Sequence, residues 1–306
     1  MSDAVIGLLL TLLIGLLWSF VGVYYKLMAN WKINPFNIGI VTGTLGIVLS
    51  LCFITHTGSF LNGELPLPGW KYVVFVLLAG FANSGGCYIL QRSMLYGRSG
   101  VMWAIGQSAL VVPFLAITIL YSEPWSFIKL AGTAAILVGM AFFGMKNSQK
   151  SGDAPRPRYG LQLALISFLI LGLAQTMFSA LSFFAYDDPG ESRPLLAGAG
   201  ALLATAFCKI VLKDRGFHFE RKLLPVILLL AMQGVIVLLL QFSALDHLRR
   251  CGMNGIFFPV AVGLCIGGYA LWAVLFFKEK PTRILTAGLC AILTGILCFC
   301  IANAIQ

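Results

Sequence analysis

Charge is what this sequence has least of. Only 10% of its 306 residues are Asp, Glu, Lys or Arg, against roughly 25% in a soluble domain. So few charges cannot cover a water-facing surface, and with 59% hydrophobic residues and a mean hydropathy of +0.92 the expected solvent is lipid. Long polar stretches are missing too. The one that exists is Lys146 to Tyr159, KNSQKSGDAPRPRY, whose prolines, small residues and charges read as a linker. Nothing else outside the apolar runs is long enough for a separate domain. The first apolar run follows MSDAV with neither a basic n-region nor a small-residue cleavage site, so it is expected to be a retained helix.

Chemistry is equally sparse. The three histidines, His56, His218 and His247, fall in connections and form no ligand cluster. The eight cysteines lie mostly inside apolar runs, where thiols pack as small side chains, and Cys298 and Cys300 are too close together on a helix to hold a metal. There is no phosphate loop, Walker motif or hydrolase triad spacing. The only dense ionisable cluster, Asp246-His247-Arg249-Arg250, reads as a connector. The expectation is no enzyme, no metal and no cofactor. None of the eleven acidic residues falls at the middle of an apolar run. A proton-driven carrier of hydrophobic cations needs such a carboxylate to hold either the cation or the proton.

What is present in quantity is the apolar run. A spanning helix takes about 20 mainly apolar residues. Ten runs qualify: 5–27, 36–55, 70–91, 100–121, 127–145, 160–184, 194–212, 223–243, 252–277 and 284–303. The sequence thus predicts an all-α integral membrane protein with ten transmembrane helices. Alternate connections divide the 21 basic residues unevenly. One side carries only Lys71, Lys129, Arg193, Arg249 and Arg250, and the other carries sixteen. The sixteen are expected in the cytoplasm and both termini outside. The +10 net charge is then a topology signal rather than a sign of nucleic-acid binding.

The chain also contains one segment twice. Tyr121 to Phe143, YSEPWSFIKLAGTAAILVGMAFF, returns as Phe277 to Phe299, FKEKPTRILTAGLCAILTGILCF. A slide of 156 positions puts Glu123 on Glu279, Gly132 on Gly288, Ala135-Ile136-Leu137 on Ala291-Ile292-Leu293, and Gly139 on Gly295. Arg98-Ser99-Gly100 matches Arg250-Cys251-Gly252, and Gly15-Leu16 matches Gly172-Leu173. A repeat of this length implies a duplicated unit. Each copy would span five helices, an odd number, so the second would enter the membrane from the opposite face. The division is 1–145 as the first repeat, 146–159 as a cytoplasmic linker and 160–306 as the second repeat. Inverted repeats of this kind build alternating access in many secondary transporters.

Three segments carry a family resemblance: LLWSFVGVYYKLM at Leu16 to Met28, the stretch Tyr88 to Gly139, and its second-half counterpart Ser243 to Gly295. With the order of the helices, they resemble the drug/metabolite transporter superfamily in its ten-helix EamA-like branch. Ser19 stands where that family commonly has glycine after the first-helix tryptophan. The resemblance implies a multi-pass protein of the plasma (inner) membrane that carries small organic metabolites. It also implies a cavity lined by the first, third, fourth, sixth, eighth and ninth helices, with the fifth and tenth peripheral. A homodimer is compatible with it.

On those helices the candidate substrate-binding residues are Trp18, Ser19 and Tyr25 on the first, Trp103 and Gln107 on the fourth, Gln175 and Thr176 on the sixth, and Asn254 on the ninth. Asn83, Gln91, Gln233, Gln241, Tyr269 and Trp272 are further polar or aromatic residues in the spans. Rings that stack and amides that orient suit a neutral or zwitterionic solute such as an amino acid or sugar. The competing reading of each is structural, since such side chains often only bond helix to helix or mark the interface. Glu123 and Glu279 are explained by the helix dipole. Lys26 is explained as a snorkelling anchor, and the Gly39/Gly43 and Gly263/Gly267 pairs by close helix contact. Multidrug efflux in the same superfamily and a non-transporting accessory protein are the alternatives to metabolite transport.

Overall fold

The computed structural model describes residues 2–30, 35–56, 69–96, 99–120, 126–146, 157–184, 192–211, 221–277 and 283–305. Among them the regular structure is helical, with no strand. The α-helices are α1 Asp3–Asn30, α2 Pro35–His56, α3 Trp70–Tyr96, α4 Ser99–Gln107, α5 Val111–Leu120, α6 Phe127–Lys146, α7 Pro157–Phe184, α8 Ser192–Val211, α9 Leu224–Arg250, α10 Phe257–Phe277 and α11 Arg283–Ile305. Five stretches are long and apolar enough to cross a membrane: Asp3–Tyr24, Trp70–Met94, Arg158–Phe183, Ser192–Val211 and Leu224–Arg250. Shorter apolar helices fill Gly39–Cys52, Phe127–Gly139, Asn254–Tyr269 and Thr286–Cys298. The turns that hold Glu123 and Glu279 lie outside the described residues, as do the side chains of Tyr25 and Lys26.

Three elements depart from the expected spans. The fourth is broken: a 3-10 turn, Ser108–Leu110, separates α4 from α5. Pro113 accounts for this, because its ring collides with the carbonyl four residues back, at Ala109, and it has no N–H to give. The sixth span starts before the expected residue 160: α7 begins at Pro157, a residue whose fixed φ suits a first helical position. The eighth span runs on to Arg250 because Ala244, Leu245 and Leu248 in its last two turns are fully buried. It ends on Gly252 at φ 63°, with Met253 N–H bonded to the Leu248 carbonyl (2.8 Å) and Gly252 N–H to the Arg249 carbonyl (2.9 Å). That pair of bonds is the glycine-dependent helix stop that closes a buried end.

The main packing partners are α6 with α11, α3 with α7 and α8, α9 with α1 and α2, α1 with α10, α2 with α8, and α4 and α5 with α7. The principal contacts therefore run between the first and second parts of the chain, which interleave. The largest buried cluster joins α1, α9 and α10 around Ile14, Leu245, Phe257 and Phe258, with Ile136 and Ile292 from α6 and α11. The outside is apolar as well: Ile119, Phe127, Leu169 and Ile210 all stand exposed. An apolar exterior of this extent is compatible with a membrane protein.

Candidate functional site

Three amides meet between α3, α7 and α9. Gln241 of α9 donates from Nε2 to Gln175 Oε1 of α7 (3.2 Å), and Gln175 Nε2 donates to Asn83 Oδ1 of α3 (3.0 Å). Gln241 is buried, while Asn83 and Gln175 are half-buried. The chain of donors has a direction, so it leaves an NH2 group at the Asn83 end and a carbonyl oxygen at the Gln241 end, each able to take a further partner. One turn further along α7, Ser179 Oγ is buried with no partner among the described residues, and so is Ser182 Oγ.

A second group is aromatic and joins α1, α4 and α10. Trp272 Nε1 donates to Ser19 Oγ (2.7 Å), which in turn donates to the Leu16 carbonyl (2.6 Å). The Trp272 ring lies against Phe20, with centroids 4.7 Å apart. Trp18 meets Phe257 edge to face at 6.1 Å, and Trp103 faces Tyr269 at 6.4 Å. Two glycines make this approach possible: a Cβ on Gly22 would fall 2.6 Å from the Tyr269 ring, and one on Gly268 would fall 2.7 Å from Ser19 Cβ. Gln233 adds a tie from α9, donating from Nε2 to the Leu17 carbonyl at 2.5 Å.

The sequence-derived candidates are thus distributed unevenly. Trp18, Ser19 and Trp103 belong to the aromatic group, and Gln175 is the centre of the amide chain. Gln107 is half-buried at the end of α4, with no hydrogen-bond partner among the described residues. Thr176 turns its hydroxyl back onto the Gly172 carbonyl of its own helix (2.8 Å). Asn254 is fully buried in the 3-10 turn Asn254–Ile256 before α10, where Nδ2 bonds the Leu245 carbonyl of α9 at 3.1 Å. Its Oδ1 has no partner among the described residues, and Gln91 Oε1 is likewise buried and unbonded there. Tyr25 lies in α1, but its side chain is outside the described residues.

One constellation had no sequence signal beyond its charges. At the end of the bundle that carries the start of α1, Arg193 NH1 bonds both Asp246 oxygens, at 3.1 and 2.9 Å, and Arg193 Nε donates to Tyr72 Oη (3.2 Å). Its guanidinium lies 5.6 Å from the centre of the Phe242 ring. Beside it, His247 Nδ1 is 2.6 Å from Asp3 Oδ1. The dense cluster at 246–250 is therefore the end of α9, partly exposed and tied to α1 and α8.

No protein-family model matches this chain, and no curated protein does. A solved structure does: a crystal structure described only as that of a protein superposes with a TM-score of 0.74 over 98% of this chain and 100% of its own, at 18% identity. At that identity the likeness is one of fold.

Proposed function

We propose that the protein is a secondary transporter of the EamA-like type, moving a small neutral or zwitterionic organic metabolite across the plasma (inner) membrane by alternating access between two inverted repeats. The observation that carries this reading is the packing pattern. Replace α1, α2, α3, α4 with α5, and α6 by α7, α8, α9, α10 and α11, and the reverse, and the main pairs map onto themselves. Thus α3 on α7 and α8 becomes α9 on α1 and α2, and α1 on α10 becomes α7 on α4 and α5, while α2 with α8 and α6 with α11 are each their own image. A duplicated and inverted unit would produce that pattern.

Because the main contacts run between the repeats, the moving bodies would be mixed bundles: α1, α2, α9 and α10 against α3, α4, α5, α7 and α8. The Gln241–Gln175 bond and the Trp103–Tyr269 contact both cross that boundary. A solute held between amides and rings there would touch both bundles, as a rocking mechanism needs. The test is a thermal-shift screen of purified protein against amino acids, sugars, nucleosides and choline-like compounds, followed by proteoliposome flux with each hit. Saturable flux that Gln175→Leu removes from a folded protein is the expected result. Hits that bind but never cross the liposome membrane would favour the accessory-protein reading.

A further inference from the structure

Arg193 is 97% buried by its own accessibility, with 3% of its side chain exposed, whereas its partner Asp246 is 33% exposed. A buried ion pair is weak evidence of a stabilising role, because desolvation offsets much of the attraction. A buried ionisable residue in a membrane bundle instead calls for a functional partner. The geometry of this pair is also incomplete. Both Asp246 oxygens are served by the single nitrogen NH1, while Nε goes to Tyr72 Oη. The guanidinium fork best takes a carboxylate through two nitrogens in parallel, and here Asp246 leaves that arrangement unused. Finally, the pair crosses between the two mixed bundles, from α8 to α9, at the end of the molecule where α1 begins.

We propose that Arg193 is an exchangeable carboxylate site, in which Asp246 occupies the position of the carboxylate of an incoming solute. The phenol of Tyr72 and the ring of Phe242 hold the guanidinium in place from two sides. A solute carboxylate that takes NH1 and NH2 in parallel leaves Nε on Tyr72 and displaces Asp246 toward water, where it is already partly exposed. That exchange releases the tie between α8 and α9 at this end of the bundle, so capture and opening are one event. As a step in transport, the site rests on the carrier reading above. It narrows the solutes to those with a carboxylate, such as amino acids or organic acids.

An internal competitor lowers apparent affinity by the fraction of time it fills the site. Asp246→Asn, which keeps the shape and removes the competing charge, should therefore tighten carboxylate binding by roughly tenfold or more. The measurement is isothermal titration of the purified full-length protein with glycine and succinate, and with their neutral amides glycinamide and succinamide. Expected are stronger binding of the two carboxylates by Asp246→Asn, no change with the amides, and loss of carboxylate binding in Arg193→Gln. If Asp246→Asn binds carboxylates no better than the parent, or if neither protein binds them, the proposal is overturned. Arg193→Lys serves if Asp246→Asn does not fold. It keeps the ion pair and loses the fork, so carboxylate binding should weaken, and unchanged binding overturns the proposal as well. Flux separates this inference from the carrier reading. Transport of neutral solutes without carboxylate binding sinks the site and leaves the carrier, and carboxylate exchange at Arg193 without flux of any solute does the reverse.

Discussion

Gly139 of α6 rests directly on the main chain of Gly288 in α11: a Cβ at Gly139 would sit 2.7 Å from the Gly288 carbonyl oxygen. The reciprocal contact exists too, with a Cβ at Gly295 falling 2.5 Å from the Gly132 carbonyl oxygen. These are the four glycines that the internal repeat superposes, and Ile136 and Ile292, also superposed, fill the space on either side. The glycines that the sequence repeat superposes meet here in a helix crossing.

Backbone cannot move aside as a side chain can, so alanine at either crossing position should force α6 and α11 apart. Gly139→Ala and Gly295→Ala should each cost about 1–3 kcal/mol, the usual range for overpacking. Gly234→Ala, where a Cβ would meet nothing within 4 Å, should cost nothing measurable. Thermal unfolding of detergent-purified protein, followed by size exclusion, gives the comparison. Equal melting temperatures for Gly139→Ala and Gly234→Ala would contradict the crossing.

The amide chain predicts a coupled loss. Hydrogen bonds between membrane helices contribute only about 0.6 kcal/mol on average. Leaving a buried amide unpaired costs more, about 1–3 kcal/mol. Gln175→Leu orphans both neighbours and should exceed Asn83→Leu in cost. Gln175→Leu with Gln241→Leu should cost less than the sum of the two, with a coupling of at least about 0.5 kcal/mol. Additive losses in that double-mutant cycle would mean the amides do not act as a unit.

Ser19 and Gly268 predict a rescue. Alanine at position 268 would meet Ser19 Cβ at 2.7 Å and its Oγ at 2.9 Å, so Gly268→Ala should destabilise by about 1–3 kcal/mol. Ser19→Gly removes both of those atoms. Added to Gly268→Ala, it should restore most of the loss, less the contribution of the Trp272 bond to Ser19. Melting temperatures of the two singles and the double decide it, and a double no better than Gly268→Ala would refute the contact.

Topology gives the broadest check. Inverted five-span repeats require the amino terminus and the 146–159 linker on opposite faces of the membrane, and the placement of Lys and Arg predicts the terminus outside. Single-cysteine labelling with an impermeant maleimide at position 2 and at position 151, in a background stripped of native cysteines, should mark only the first in intact cells. Labelling of both from the same side would remove the inverted repeat.

Much of this was legible along the chain because it is stored in properties that need no partner. Run length gave the helices that the structure shows, the uneven placement of Lys and Arg predicts an orientation, and self-similarity predicts a repeat. All three are one-dimensional, and the first two are set by the cost of apolar surface in water and of charge in lipid. Even the break in the fourth span could have been read from Pro113, whose steric clash is local. Which polar side chains meet is a different kind of fact. Asn83 and Gln175 are 92 residues apart, Gln175 and Gln241 are 66 apart, and Arg193 and Asp246 are 53 apart. An amide in a span looks the same in sequence whether it bonds one main-chain carbonyl, as Asn254 does, or joins three helices, as Gln175 does. The difference lies in the rotation of each helix about its axis and its crossing with its neighbours. Those are fixed by interlocking surfaces such as the glycine crossing of α6 and α11, and only the packed bundle has them.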